Sequence, residues 1–272
     1  MASTNPLVDL STTPQAAEVP TFEELVAEGA AAPTAGWDFS WFAGRATEER
    51  PAWGYAGLLA DRLGAATASL DVQTGGGEVY AGALTRAARR RVRVAATESW
   101  PPNLALARAR LARWGGEVTE APDAGPLPFP DAAFDLVSSR HPTAQPWPEI
   151  ARVLSPGGTY LCQGVGSGTH RVLAQALTGA RPEPDLPSAE LAADAARSAG
   201  LDVVDLRSQA CRVEFGDVGA VVHFLRKVVW TVPDFSVERY RPQLTELHRR
   251  IERDGALVSW SQRYLLEARR PG

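Results

Sequence analysis

One segment constrains this chain more than any other. The apolar run Ala68 to Val72 passes through an acid into a glycine cluster, Asp71-Val72-Gln73-Thr74-Gly75-Gly76-Gly77, and a helical pattern starts at Glu78. Glycines let a backbone turn sharply and come close to a ligand, and a new helix offers free N–H groups at its start. A second apolar strand, Arg91 to Thr97, ends at Glu98, 21 residues beyond Gly77. Strand, glycines, helix, strand and acid, in that order, call for an α/β unit with its ligand at the carboxyl ends of parallel strands.

The rest of the chain extends the same alternation. Helical spacing is expected over Tyr55–Leu63, Glu78–Arg89, Asn103–Trp114 and Trp147–Val153. Short strands are expected at 117–120, 134–138 and 158–163, with Ser155-Pro156-Gly157-Gly158 as a stop signal between helix and strand. Such alternation builds a mostly parallel sheet with helices on both faces. The end of the chain reads differently. A long strand, 201–215, and a last strand, 257–268, flank a mostly helical stretch, so the last strand is expected to be antiparallel, with a helical cap inserted over about 216–255. The expected organisation is a mobile tail at 1–20, an N-terminal arm or lid at 21–55, and one core at 56–272. Thr21 with Glu24 three residues on predicts a capped helix at the start of the arm.

Composition narrows the function classes. A net charge of −4 argues against a broad groove for nucleic acid. Two cysteines, Cys162 and Cys211, are too few for a disulfide framework or a structural zinc site, and no metal-ligand spacing occurs. No basic segment followed by an apolar stretch marks a signal peptide, and no run is long enough for a membrane span. A cytoplasmic protein without membrane contact is the expectation, as a monomer or a homodimer. Of the 28 basic residues only Lys227 is a lysine, so the arginines are first of all compositional.

The glycine cluster is not the G-x-G-x-x-G of dinucleotide folds. Asp71 ahead of it would repel a pyrophosphate but suits a cationic amino-acid end, and Glu98 suits a ribose diol. At this point the sequence resembles the class I S-adenosylmethionine-dependent methyltransferases, in particular the bacterial methyltransferase-11-type domain. The residues that carry the resemblance are LDVQTGGGE, ATES around Glu98, APDAGPLPFPDAAFDLV, FDLVSSRHP and EIARVLSPGGTYL. It implies a Rossmann-like class I methyltransferase sheet and S-adenosylmethionine as the cofactor, with S-adenosylhomocysteine as product. It also implies a cofactor site of Asp71, Gln73, Thr74, Gly75, Gly77, Glu98, Ser99, Asp123, Ala124 and Ser139, with Asp123 on the adenine amino group and Ala124 beside the ring edge. Gln73 departs from the pattern, because it stands where the family has its first glycine.

The expected reaction is methyl transfer to an O, N or C nucleophile of a small molecule by in-line displacement. His141, after the strand 134–138, is the first candidate for a general base, against a purely loop-shaping role; His170 is the second. His223 reads as packed and His248 as solvated. Arg140 suits a substrate carboxylate or an internal ion pair. The aromatic arm (Trp37 to Tyr55) and the insertion are expected either to pack on the core as ordinary helices and loops or to enclose an apolar or aromatic acceptor, with Arg45, Trp53, Arg140, Trp230 and Phe235 then as substrate contacts. Two alternatives stand beside this: an RNA-base methyltransferase, and a methyltransferase-like protein that binds the cofactor without transferring methyl.

Overall fold

The computed structural model describes residues 19–34, 39–88, 92–179 and 186–272 of the protein. The expected tail falls almost wholly outside them, as does Trp37. The chain opens with α1 (Phe22–Ala31), whose start is the expected capping box: Thr21 Oγ1 accepts from Glu24 N–H at 3.4 Å, and Glu24 Oε2 accepts from Thr21 N–H at 2.8 Å. Then follow β1 (Ala46–Glu48), α2 (Tyr55–Ala65), β2 (Ala68–Asp71), α3 (Glu78–Arg86), β3 (Arg93–Glu98), α4 (Pro101–Leu111), β4 (Glu117–Glu120) and β5 (Phe134–Arg140). The second half holds α5 (Trp147–Val153), β6 (Leu154–Val165), α6 (Arg171–Thr178), α7 (Ala189–Ser198), β7 (Asp202–Phe215), α8 (Val218–Lys227), α9 (Arg241–Asp254) and β8 (Leu257–Arg269).

The strands form one eight-stranded sheet in the order β1-β7-β8-β6-β5-β2-β3-β4. From β6 to β4 every neighbouring pair is parallel, and β8 runs antiparallel to both β6 and β7. Alternating side chains separate two cores, as the two-residue period of a strand requires. Leu136, Leu161 and Leu265 pack under α2, α3 and α4 with Leu59, Leu63 and Tyr80. Val137, Tyr160, Cys162 and Leu266 pack on the other face, under α5 and α7. Helices on both faces and an antiparallel last strand are therefore as the sequence implied.

Three features differ from expectation. The alternation pattern gives no element between Val165 and Leu201, where the structure has α6 and α7. The buried face of α7 is Ala189, Ala192, Ala193 and Ala196, a stripe without a large apolar side chain, while Leu191 is exposed. The Ser155–Gly158 stop signal does end α5, but the strand already starts at Leu154 and absorbs the turn as an irregularity in register between Phe134 and Leu136 of its partner. The arm is also more than a cover, since β1 pairs antiparallel with β7, Ala46 opposite Phe215.

The long β7–β8 ladder explains the cap. β6 pairs with β8 only over Arg263–Arg269, whereas β7 pairs with it from Arg269 down to Leu257. The far half of the ladder thus projects past the parallel sheet. Around it α1, α6, α8 and α9 build a third core with Phe42, Phe215, Val221, Leu225, Leu244 and Leu257. One electrostatic joint fixes this core to the arm. Asp217 caps α8 by accepting from Ala220 N–H at 2.8 Å, and its two oxygens also take Arg45 Nε (2.8 Å) and Nη2 (2.9 Å). Arg45 further pairs with Glu28 at 2.6 Å and lies over the Trp41 ring at 4.1 Å. Asp217→Ala removes a helix cap and leaves a mostly covered guanidinium with one partner. Urea denaturation should show a loss of about 2 kcal/mol, with the slope of the transition unchanged.

Candidate functional site

Ligands in open α/β sheets sit where the strand order reverses. From β2 the chain steps outward to β3 and β4, then returns to the other side of β2 as β5 and β6. The crevice is therefore between the carboxyl ends of β2 and β5. Val72–Gly77 leaves one end and His141–Pro146 leaves the other. Gly75 and Gly77 hold positive φ, +63° and +79°. At Gly77 a Cβ would meet Ala107 Cα in ordinary contact at 3.5 Å, so the positive φ rather than space calls for glycine where α3 starts.

The acidic groups converge as the sequence suggests. Glu98 ends β3, 6% exposed, and its carboxylate gathers backbone donors: Gly75 N–H on Oε2 at 2.8 Å, with Trp100 and Ser99 N–H on Oε1 at 2.9 and 3.1 Å. Asp71 is buried at the end of β2. Burial raises its pKa to about 6 against the opposing hydrogen bond from Ser138 Oγ (2.6 Å), and nearby Glu98 adds to the rise. Asp123 is half-buried, with its carboxylate on Thr143 Oγ1 at 2.5 Å; Ala124 beside it is exposed. Thr74 Oγ1 is buried with no partner of good hydrogen-bond geometry.

Gln73 joins the loops. At φ +56° it adopts a backbone conformation that glycine takes freely and other residues take at a cost of about 1 kcal/mol. Its side chain repays this by spanning the crevice. Nε2 donates to Ala144 O (2.7 Å) and Asp123 O (3.2 Å), while Oε1 accepts from Thr143 N–H (2.7 Å). The loops after β2, β4 and β5 are thus tied by one amide. The acids and the glycine loop fit an adenosyl ligand with a cationic end; Gln73 fits it only once its amide leaves the crevice.

Ser139 is turned away from this site. Its hydroxyl shares a 2.5 Å hydrogen bond with Tyr160 OH in the opposite core, and only its carbonyl faces the α2 side, accepting from Tyr55 OH at 3.0 Å. Ser99 contributes its amide, to Glu98.

Beside the crevice, His141 and Trp53 meet through a residue that motif reasoning passed over. Gln163 Oε1 accepts from Trp53 Nε1–H at 2.8 Å, and Gln163 Nε2 lies 3.0 Å from His141 Nε2. The indole can only donate, so the amide orientation is fixed and Nε2 must donate to the histidine. His141 Nε2 is then an acceptor and the ring proton sits on Nδ1. Burial, then the charges of Arg140 and Arg263, hold the His141 pKa well below 6.5. The resting geometry thus commits its basic nitrogen to Gln163 and presents an N–H donor, a role opposite to that of a general base. The signal that could have found Gln163 was a polar residue in the middle of the apolar strand YLCQGV.

The remaining candidates lie elsewhere. Arg45 is held in the joint with Asp217 and Glu28. Phe235 stacks on Tyr240 and lines a cavity of about 290 Å³ with Thr34, Leu225, Arg226, Val229 and Val232, none of which belongs to the β2, β4 or β5 loops. Trp230 is 52% exposed on the same cap. His170, 5% exposed, precedes α6 with φ +53°, packs edge-on to Phe224 at 4.6 Å and leaves Nδ1 buried without a partner. His223 is buried against Trp41 and Phe42, as expected. His248 is less solvated than expected, with its ring 5.5 Å from that of Phe22. Among the described residues no group of three or more His, Cys, Asp or Glu side chains could hold a metal, and no helix is long and apolar enough to cross a membrane.

Burial pushes His170 down to about 4 from an ordinary 6.5. Below pH 6.5 the unfolded chain takes up a proton that the folded chain refuses until about pH 4, so stability falls with pH across that window. Denaturant titrations at pH 7 and pH 5 should differ by about 2 kcal/mol from this group alone. His170→Gln should flatten the dependence.

Residues 70–162, from β2 to β6, match the family model described as a methyltransferase domain. Among solved structures, a Bacillus halodurans C-125 protein described provisionally as a methyltransferase aligns at 18% identity over 75% of this chain and 93% of its own, with a TM-score of 0.54. The YcgJ protein of Bacillus subtilis aligns at 13% identity over 80% of this chain and 98% of its own, also at 0.54. No curated protein sequence matches. The resemblance to class I methyltransferases thus holds for the motif-bearing segment and for the fold.

Proposed function

We propose that the protein transfers a methyl group from S-adenosylmethionine to a nucleophilic atom of a small molecule. The observation that carries this reading is the convergence of Asp71, the Gly75–Gly77 turn, Glu98 and Asp123 on the β2/β5 switch point. When bound, the cofactor supplies an electrophilic methyl on a sulfonium, so the protein's task is placement.

Each residue has a task that follows from its chemistry. Glu98 exchanges backbone donors for the two ribose hydroxyls. Asp71, buried and in no ion pair among the described residues, balances the ammonium of the methionine end. Asp123 accepts from the adenine amino group, with Ala124 at the ring edge. Gln73 swings out of the crevice as the ligand enters, releasing the loops after β4 and β5. The segment Glu48–Tyr55 covers the acceptor side, where Trp53 and Gln163 hold the His141 ring still. Fixing a nucleophile in line is worth several orders of magnitude in rate without any acid or base. His141 serves here by orientation.

Calorimetry with S-adenosylhomocysteine tests the reading. Wild type should bind, Glu98→Ala should bind at least tenfold more weakly, and Gln73→Gly several-fold more tightly, because the ligand no longer displaces an internal amide. Absence of binding by both wild type and Gln73→Gly would overturn the reading. A pH dependence is also expected. Asp71 is ionised above about pH 6 and protonated below it, so affinity for the cationic end should fall as pH drops through 6.

A further inference from the structure

We propose that Arg140 and the Nδ1–H of His141 form an oxyanion subsite beneath the arm, and that the methyl acceptor carries a carboxylate or phosphate group which this subsite holds. The inference rests on the methyl-transfer reading for the word acceptor, but the subsite stands on its own geometry.

Arg140 is the last residue of β5 and sits opposite Gln163 in the parallel register. Gln163 pairs in turn with Leu265 of β8, two residues from Arg263, which pairs with Gln209 of β7. Cross-strand partners share a face. Arg140, Gln163, Arg263 and Gln209 therefore lie on one face at the carboxyl ends of β5 and β6. The arm crosses that face: Ala52 N–H donates to Gln209 Oε1 at 2.9 Å, Trp53 to Gln163, and Glu48 takes Arg263 at 2.6 Å.

The cations around this face are treated unequally. Arg263, 10% exposed in its side chain, has Glu48. Arg212 has Glu214, and Arg45 has Asp217 and Glu28. The Arg140 guanidinium makes no hydrogen bond or ion pair among the described residues. It is open to solvent, and Arg263 and Arg50 lie within electrostatic reach of it; Glu48 provides the countercharge on this face but is already engaged. Desolvation first, and then these like charges, disfavour its proton; the anions within electrostatic reach, Glu48 and Asp71, make no ion pair with it. A guanidinium left free in that setting suits a planar or tetrahedral oxyanion, which it can hold with two parallel hydrogen bonds.

The neighbouring residue adds a donor. His141 is held at φ +55° by its own N–H on Gln163 O at 2.7 Å, a conformation uncommon outside glycine. The Trp53–Gln163 pair fixes its proton on Nδ1, which has no hydrogen-bond partner among the described residues. The subsite thus presents a fork of N–H donors and one imidazole N–H, and no acceptor. Such a set rejects neutral hydroxyl compounds in favour of anions, since nothing in it can take a proton from a hydroxyl donor.

The test uses the full-length protein with inorganic phosphate, benzoate and benzyl alcohol as probes, read by the ring nitrogen resonances of His141 and by affinity. Phosphate or benzoate should perturb Nδ1–H, benzyl alcohol should not, and Arg140→Gln should weaken the anion at least tenfold while Arg140→Lys weakens it less. The Arg140 side chain bonds to none of the described residues, so the thermal midpoint of Arg140→Gln should stay at the wild-type value, and that separates lost binding from lost folding. S-adenosylhomocysteine affinity is measured on the same variants. If Arg140→Gln weakens that ligand more than threefold, the arginine holds the cofactor's own carboxylate and the acceptor subsite is overturned. Equal anion affinity in wild type and Arg140→Gln, or no response at His141, overturns it as well. Anion binding that depends on Arg140 in a protein that does not take S-adenosylhomocysteine would support the subsite and remove the methyl-transfer reading.

Discussion

The chain reverses direction about β2, and the rest of the molecule is arranged around that reversal. A parallel sheet must be entered from the same end each time, so every return crosses one face as a helix or a long connection. When β5 comes back to the unoccupied side of β2, the loops leaving the two strands diverge and a crevice opens between them. Asp71 with the glycine turn, Glu98 and Asp123 come from three different places in the sequence, and the sheet order makes them neighbours. The register of β2 on β3 and β5 sets which residue stands at each strand end, and one step of slip would turn Asp71 and Glu98 to the other face.

The second half of the structure works as a buttress for one side of this crevice. β8 pairs with β6 on one side and β7 on the other, so the ladder holds the β6 end rigid and carries the cap outward. The arm threads back across it, adding β1 to the sheet edge and laying Trp53 on Gln163. Pocket and cap are therefore separate. The cavity by Phe235 belongs to the packing of α8 with the segment after it, and the acceptor side of the crevice is bounded by the arm and by β5 and β6. The fold divides the arm's own aromatics: Trp41 and Phe42 pack with His223 and Phe224 of the insertion, while Trp53 and Tyr55 lie beside the crevice.

Charge follows the same division. In an arginine-rich chain most guanidiniums are neutral statements about the surface, and many here are satisfied by a carboxylate close by. Two depart from that pattern in opposite ways. Arg45 looked exposed to a ligand by its place among aromatics, yet two carboxylates and an indole consume it. Arg140, at the end of an apolar strand, has no side-chain partner among the described residues. Sequence treats the two alike, because the partner that distinguishes them, Asp217, is 172 residues away.

The sequence by itself determined the order of elements, the strand ends that carry acids, and the glycine turn, because these rest on local periodicity and on backbone conformations few residues adopt. It also determined the capped α1 and the antiparallel last strand. It did not determine α7, whose buried face is four alanines with no large apolar side chain, or β1, whose three residues form a strand only because β7 offers a free edge. Tertiary structure alone decided the state of the side chains in the site. Gln73 lies across the crevice because Thr143, Ala144 and Asp123 offer complementary backbone groups. His141 carries its proton on Nδ1 because an indole 110 residues from Gln163 can only donate. Hydrogen-bond partners at such separations leave no local trace in a sequence, and they set the chemistry of the residues that a sequence can only nominate.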